Sequence, residues 1–186
     1  MTREELEHII RASGVITNQY EFVIVGSQSM LGAVPYPEEV FTVSMEADIY
    51  PLQAPELADQ IDGAIGEGSQ FHQTFGYYAQ GVGPDTATLP KDWMQRVYRI
   101  QNGNTEERVG YCLDVPDLFL AKASAGRDKD REFCMALFEY GYVTPARVLS
   151  LVPFMPIDEK EQRMLRATIR RWAKAVRDAG HNVPEE

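Results

Sequence analysis

The chain has 186 residues, of which 44% are hydrophobic, and its formal net charge is −10. Length and apolar content suit one domain with a sizeable core, so we expect residues 1–186 to form a single domain. No segment approaches the roughly 18 apolar residues of a membrane span, and no secretion signal precedes the first helix. We therefore expect a cytoplasmic protein with no membrane partner. The two cysteines form no Cys-x-x-Cys pair, which argues against a disulfide scaffold or a zinc site.

The N-terminal part of the chain begins with a helix and a buried strand. Thr2 followed by Glu5 is the pattern of a capping box and predicts a helix over about 2–13 that ends at Gly14. The apolar run 22–25 closed by glycine is typical of a fully buried strand. The chain is then expected to turn into a short helical segment that ends near residue 33.

The remainder of residues 1–114 reads as strands separated by one helix. Residues 40–49 predict a second strand, and Pro55 begins a helix that extends to about residue 66. Strand-like runs at 75–82, 95–100 and 108–113, with a turn at Gly103, predict antiparallel sheet. Residues 115–186 are predicted to be helical, over about 115–125, 128–140, 145–152 and 157–179. This order of elements indicates an α+β fold with a helical C-terminal part.

Two acids in the second predicted strand carry the first chemical signal. Residues two apart in a strand project to the same face, so Glu46 and Asp48 are expected to lie side by side. Paired carboxylates repel unless solvent or a cation offsets their charge, and hard oxygen pairs suit Mg²⁺. Gly26 and Ser27, at a strand end before a helical turn, would let backbone amides and a hydroxyl approach a phosphate.

Charge is distributed unevenly along the chain. Residues 1–120 carry 6 Lys or Arg against 18 Asp or Glu, whereas residues 121–186 carry 12 against 10. Between Arg163 and Arg177 the chain has a run of basic residues with no intervening acid. Such a run can attract phosphates. An amphipathic surface helix gives the same pattern, so that interpretation stays open.

Together, these residues resemble the polymerase-beta-like nucleotidyltransferase superfamily, whose motif is Gly-Ser after one strand and two spaced acids on the next. Here the motif reads Gly26-Ser27 and Glu46-Ala47-Asp48. Further stretches resemble a bacterial branch related to abortive-infection and toxin–antitoxin nucleotidyltransferases. These are Leu89-Pro90 with Trp93 and Arg96, residues 112–118, Ala121-Lys122 and residues 125–130. The resemblance covers most of residues 22–143 and implies a mixed sheet flanked by helices.

The resemblance also implies a site for a nucleoside triphosphate and Mg²⁺ or Mn²⁺. Glu46 and Asp48 would be metal ligands and catalytic residues, and Asp114, at the end of a later predicted strand, is the candidate third carboxylate. Gly26 and Ser27 would bind the nucleotide, and the cations expected at its phosphates are Lys122, Arg127 and Lys129. The acceptor of the nucleotidyl group would be RNA or a protein, and an antitoxin protein is a possible partner.

Simpler explanations exist for several of these residues. Glu46 and Asp48 could face solvent on an edge strand, Asp114 could cap the following helix, and Arg127 and Lys129 could form surface ion pairs. Two features depart from the superfamily pattern: glutamate stands at position 46, and 18 residues separate Ser27 from it. A catalytically degenerate module that binds a nucleotide or a protein partner is therefore the alternative function. A purely structural or antitoxin-like protein, without affinity for triphosphates, is a third.

Overall fold

The N-terminal helix is longer than its sequence pattern predicts. In the computed structural model, which describes residues 1–184, helix α1 spans Arg3–Thr17 and begins with the expected capping box at Thr2. The predicted end at Gly14 is wrong, because the helix continues to Asn18, which caps it in the left-handed conformation. The glycine is instead a packing position: a Cβ there would lie 1.9 Å from Cδ of Arg108. Its missing side chain lets Arg108 cross the helix surface.

Five strands form one mixed sheet. In chain order they are β1 (Glu21–Val25), β2 (Glu46–Pro51), β3 (Tyr78–Gly81), β4 (Tyr98–Ile100) and β5 (Val109–Cys112). Their order in the sheet is β3-β2-β1-β5-β4. β1 runs antiparallel to β2 and parallel to β5, β2 is parallel to β3, and β4 is antiparallel to β5. The α+β class with a mixed sheet is confirmed. The predicted antiparallel pairing is confirmed for β4 with β5. It is wrong for β3, which runs parallel to β2.

Short helical segments connect the strands. The α-helices are α2 (Met30–Ala33), α3 (Ala58–Ile65) and α4 (Gln70–Phe75), and the 3-10 turns are Ser27–Ser29, Glu39–Phe41, Pro55–Leu57, Trp93–Gln95 and Gly103–Thr105. The strand predicted over 40–49 is wrong in its first half, where a 3-10 turn ends at Phe41 and β2 begins only at Glu46. The strand predicted over 75–82 likewise begins later, because α4 extends to Phe75.

The core of the sheet-containing part is built from α1, α3 and the inner strands. Its largest fully buried side chains include Phe22, Ile24 and Ile49 from the strands, with Ile9 and Ile61 from the helices. The strand β1 is buried along four of its five residues. This agrees with its continuous apolar sequence and its position at the centre of the sheet.

The C-terminal part is helical, as the sequence predicts. It contains α5 (Val115–Ala125), α6 (Asp128–Glu139), α7 (Pro145–Leu151), a 3-10 turn at Val152–Phe154 and α8 (Glu159–Asp178). Phe119 anchors its core, with ring centroids 4.8 Å from Phe138 and 6.4 Å from Trp172. The last two positions of the predicted helical part 115–186 lie outside the described residues.

Contacts divide the chain into two units. One comprises Met1–Thr86 with Arg96–Asp114, and the other comprises Ala87–Gln95 with the chain from Val115 onward. The first unit contains the whole sheet. The second contains α5 to α8 and is called the helical unit below. That residues 1–186 fold as one domain stays a prediction.

Both cysteines are free thiols in buried positions. Burial raises the pKa of Cys112 to about 12 and raises the pKa of Cys134 as well. Both side chains therefore keep their protons at neutral pH and pack as small apolar groups. Among residues 1–184, no helix is both long and apolar enough to cross a membrane.

Candidate active site

The turn after β1 has a conformation that glycine adopts and other residues avoid. Gly26 has φ 66° and ψ −168°, a region of backbone space that is essentially restricted to glycine. Its carbonyl oxygen accepts hydrogen bonds from the backbone N–H of Ser29 at 3.2 Å and from the Ser29 hydroxyl at 2.8 Å. The buried Gln28 donates its amide to the Ser44 carbonyl at 3.2 Å. These bonds fix the turn and join it to the segment that enters β2.

Strand pairing brings the second acid of the motif to this turn. In the antiparallel ladder between β1 and β2, Val25 lies opposite Asp48. A Cβ added to Gly26 would lie 2.2 Å from Oδ2 of Asp48. The absence of a side chain on the glycine is therefore what allows the carboxylate of Asp48 to approach the backbone of the turn.

The two acids of β2 share one face of the strand. Ala47 and Ile49 are fully buried, whereas Glu46 and Asp48 are each half-buried. This alternation confirms that the two carboxylates project from the same side. Since β2 lies between β3 and β1 in the sheet, the two acids do not belong to an edge strand.

Two side chains of β3 donate hydrogen bonds to these acids. The parallel register places Tyr78 beside Glu46 and Gln80 beside Asp48. The Tyr78 hydroxyl donates to Oε2 of Glu46 at 2.9 Å. With its amide nitrogen toward the acids, Gln80 donates to Oε1 of Glu46 at 2.9 Å and to Oδ1 of Asp48 at 3.2 Å. That orientation is assigned from the surrounding acceptors. In it, one oxygen of each carboxylate accepts a hydrogen bond from the same nitrogen of Gln80.

The tyrosine remains a donor at neutral pH. Burial, together with the hydrogen bond and the negative charge of Glu46, raises the pKa of Tyr78 to about 12. The phenol therefore keeps its proton and donates it in the hydrogen bond to Oε2 of Glu46. The other oxygen, Oε1, faces the side-chain nitrogen of Gln80.

The third predicted carboxylate, Asp114, follows β5 at the same end of the sheet as the turn. In the parallel ladder Ile24 lies beside Cys112. Gly26 comes two residues after Ile24, and Asp114 comes two residues after Cys112. Across residues 1–184, however, no three or more His, Cys, Asp or Glu side chains form a group that could hold a metal ion. The acids that the structure brings together are Glu46 and Asp48, and a metal role for Asp114 stays a prediction.

Comparison with known proteins agrees with this arrangement. Residues 4–138 match the family described as "Nucleotidyltransferase of unknown function (DUF6036)". The chain belongs to this nucleotidyltransferase family. A search of curated proteins and a search of solved structures each found no match. The match confirms the nucleotidyltransferase resemblance, and the predicted site residues all fall within the part of the chain that the nucleotidyltransferase family covers.

The three predicted phosphate-binding cations of this nucleotidyltransferase family member lie in the helical unit. Lys122 is buried, and its Nζ is 3.1 Å from Oδ1 of Asp130 and 4.5 Å from the ring centroid of Phe133. Arg127 is exposed over 61% of its side chain and binds the same aspartate, with Nε 2.6 Å from Oδ2. Lys129 is exposed in the first turn of α6. Phosphate contact by these three residues stays a prediction.

The donor set at β2 has the chemistry that a divalent cation requires. Carboxylate oxygens are hard ligands of the kind that Mg²⁺ and Mn²⁺ prefer. One oxygen of Glu46 and one of Asp48 lie within hydrogen-bonding distance of a single amide nitrogen of Gln80, so a small electropositive group is already accommodated between them. The residues present therefore fit a cation.

The side chains from β3 were not predicted from the sequence. Neither Tyr78 nor Gln80 belongs to the Gly-Ser or the paired-acid motif, and the run that contains them was expected to pair antiparallel. They alternate along β3 with the same period as Glu46 and Asp48 along β2. This alternation predicts that Tyr78 and Gln80 contact the acids only when the parallel register of the two strands is known.

Replacement of Gly26 by alanine tests the close approach in the turn. The new Cβ would collide with the carboxylate of Asp48, and φ of 66° is strained for alanine. We expect Gly26→Ala to lower the free energy of unfolding by about 1–3 kcal/mol and to displace the carboxylate. Urea denaturation of Gly26→Ala, with Gly63→Ala as control, measures this, because a Cβ at Gly63 meets no atom within 4 Å. Equal stability of the two variants would contradict the prediction.

Proposed function

We propose that this chain is a metal-dependent nucleotidyltransferase that moves a nucleotidyl group from a nucleoside triphosphate to an RNA or protein acceptor. The observation that carries the proposal is the shared orientation of the Glu46 and Asp48 carboxylates next to the glycine turn at the end of β1. This arrangement occurs in a chain of the nucleotidyltransferase family. The site geometry and the family match thus support the same reaction class.

In this proposal each part of the site has one task. Glu46 and Asp48 hold Mg²⁺ or Mn²⁺, with Asp114 as a further candidate ligand. A metal bound there would supply Lewis-acid chemistry, which would lower the pKa of an attacking hydroxyl and neutralise charge at the transferred phosphate. The backbone around Gly26 and the hydroxyl of Ser27 bind phosphate oxygens. The chain's own contribution is therefore to position the reactants and to supply fixed charge.

Cationic residues are required in this scheme because residues 1–120 carry 6 basic against 18 acidic side chains. A triphosphate is itself strongly negative, so we propose Lys122, Arg127 and Lys129 as its contacts. The exposed basic side chains of α8, which include Arg163 and Lys174, are the proposed contact for an RNA acceptor. Binding through them would weaken steeply with salt, whereas binding of a protein acceptor need not. A role as the toxin of a toxin–antitoxin pair would require a further partner, the antitoxin.

The hydrogen bonds at the acids favour a second candidate function. Tyr78 and Gln80 together donate to both acids of the pair. The acids can therefore persist in the fold without a cation, as expected of a module that has lost catalysis and binds a nucleotide or a protein partner. The glutamate at position 46 is consistent with this alternative, because its longer side chain shifts the carboxylate relative to aspartate.

Incorporation of label from α-labelled triphosphates tests the proposed reaction. The full chain is incubated with each of the four ribonucleoside triphosphates, with Mg²⁺ or Mn²⁺, and with total RNA or bacterial protein extract as acceptor. We expect covalent label in one acceptor class with one or more triphosphates, and none when EDTA is present. Failure to label any acceptor with any triphosphate would count against the enzyme and leave the binding module as the better account.

A further inference from the structure

Gln80 lies beside the acidic pair, on the strand that neighbours β2. Its side chain extends from β3 beside Asp48, and its terminal amide lies 2.9 Å from one carboxylate oxygen and 3.2 Å from the other. The residue is exposed to solvent. One neutral group thus contacts both acids of the pair at once.

An amide has two chemically different ends. Its NH₂ group donates hydrogen bonds, whereas its carbonyl oxygen accepts them and can ligate a hard cation. With no cation present, Gln80 is favoured with its NH₂ group toward Glu46 and Asp48, because the opposite orientation would set three acceptor oxygens against one another. A cation bound to the two acids reverses this preference, because the carbonyl oxygen is then attracted and the NH₂ group repelled.

We propose that Gln80 is the third protein ligand of the divalent cation, and that it exchanges its NH₂ group for its carbonyl oxygen when the cation binds. This inference rests on the proposed function, because it requires a cation at Glu46 and Asp48. The exchange is a half-turn about the last side-chain torsion, which has a broad and roughly two-fold energy profile in glutamine. Exposure of the side chain leaves room for that rotation.

The register of the sheet favours Gln80 over a third acid. The glutamine lies on the strand adjacent to β2, in direct register with Asp48. Among residues 1–184 no third carboxylate joins the two acids in a metal-binding group. A neutral third ligand adds no negative charge to that of Glu46 and Asp48. The site then keeps a stronger attraction for the negative charge of a triphosphate than three carboxylates would allow.

Calorimetric titration of the nucleotide-free protein with Mn²⁺ tests the inference without reliance on activity. We expect Gln80→Met, which has similar length but no oxygen or N–H group, to weaken Mn²⁺ binding about tenfold or more. Gln80→Glu keeps an oxygen at the same position and adds charge, so it should bind Mn²⁺ at least as tightly as the wild type. Gln60→Met makes the same change at an exposed position of α3 and should bind as the wild type does. Asp48→Asn should abolish binding.

The side-chain amide of Gln80 provides a second measurement. In the wild type, its ¹⁵N-H₂ signals, assigned by their absence from Gln80→Glu, should shift on addition of diamagnetic Mg²⁺. A shift confined to these signals and to residues near Glu46 and Asp48 would support the exchange of the two ends of the amide. Unchanged amide signals at saturating Mg²⁺ would overturn it.

The possible results separate this inference from the proposed function. If Gln80→Met binds Mn²⁺ as tightly as the wild type while Asp48→Asn does not bind, Gln80 is not a ligand, and the acidic pair still is. Tighter binding by Gln80→Met would also overturn the inference, because it would show that the amide competes with the cation. If the wild type binds no Mn²⁺, both the inference and the metal-dependent function fail.

Discussion

Asp130→Asn is expected to lower the free energy of unfolding of the helical unit by about 3–5 kcal/mol. The aspartate side chain is fully buried and accepts hydrogen bonds from Lys122 at 3.1 Å and from Arg127 at 2.6 and 3.2 Å. Asparagine has nearly the same shape but no charge, so it leaves the ammonium group of Lys122 buried without a counter-ion. Urea unfolding followed by tryptophan fluorescence measures the effect in this unit, because Trp93 and Trp172 both belong to it.

Two further variants isolate the charge pair. Asp128→Asn removes an exposed carboxylate from the first turn of the same helix, and should cost less than about 1 kcal/mol. The double variant Lys122→Met with Asp130→Asn removes both charges of the buried pair, and should recover most of the lost stability. If Asp130→Asn costs no more than Asp128→Asn, the ion pair contributes little. A double variant as unstable as Asp130→Asn would show that the charge left on Lys122 is not the cause.

The same ion pair should make the stability of the helical unit sensitive to acid. Burial acts to raise the pKa of Asp130, but the hydrogen bonds and charges of Arg127 and Lys122 outweigh burial, and the pKa is lowered. A carboxyl with a lowered folded-state pKa contributes stability that is present above its unfolded pKa and is lost as pH falls through the folded value. The difference in stability between the wild type and Asp130→Asn should therefore shrink on acidification. A difference that grows as pH falls would contradict this assignment.

In the nucleotidyl-transfer reaction, Asp48→Asn is expected to reduce the rate of label incorporation about 10²–10³-fold. Its carboxylate lies against Gly26 on one side and shares the Gln80 amide with Glu46 on the other. Asparagine keeps the shape of the side chain but halves the negative charge that the pair offers to a cation. The initial rate of incorporation at saturating triphosphate, measured with the acceptor that the wild type labels, gives the loss.

Asp59→Asn is the matched control for this substitution. Asp59 is an exposed aspartate in the first turn of α3, in the same unit as the acidic pair. Its substitution makes the same chemical change and should leave the rate within about twofold, since exposed substitutions away from a site have small effects. Thermal unfolding of each variant distinguishes loss of the fold from loss of the site. Equal rates for Asp48→Asn and the wild type would exclude this carboxylate from the reaction.

Local sequence signals predict the helices from residue 115 onward well, whereas they miss α4 and end α1 too early. Each predicted helix of the C-terminal part is present with ends that differ by at most two residues, because caps, prolines and apolar periodicity act within a few residues of one another. The strand predicted over 40–49 is partly wrong because the local pattern does not show which residues are buried. Val40 and Val43 are β-branched residues typical of strands, but they are 45% and 71% exposed, and only Phe41 between them is buried. Tertiary packing decides here between a strand and a 3-10 turn, and the local sequence pattern does not show which of the two forms.

The candidate site divides in the same way. The turn at Gly26 and the shared face of Glu46 and Asp48 follow from strand period and glycine conformation, which a single sequence reveals. The contribution of Gln80 depends on a parallel pairing between β2 and β3, which joins residues far apart along the chain. The sequence favours Asp114 as the third carboxylate because an acid ends a predicted strand, and it does not show that an amide lies on a neighbouring strand.

In the proposed function, the acids of β2 hold a divalent cation on which nucleotide binding depends. Calorimetry of the wild type and of Asp48→Asn with a non-hydrolysable triphosphate, with Mg²⁺ and again after addition of EDTA, measures this dependence. We predict binding by the wild type with Mg²⁺, and a large loss of affinity both with EDTA and in Asp48→Asn. Binding that persists with EDTA and is unchanged in Asp48→Asn would contradict a role of the cation and of this carboxylate in nucleotide binding.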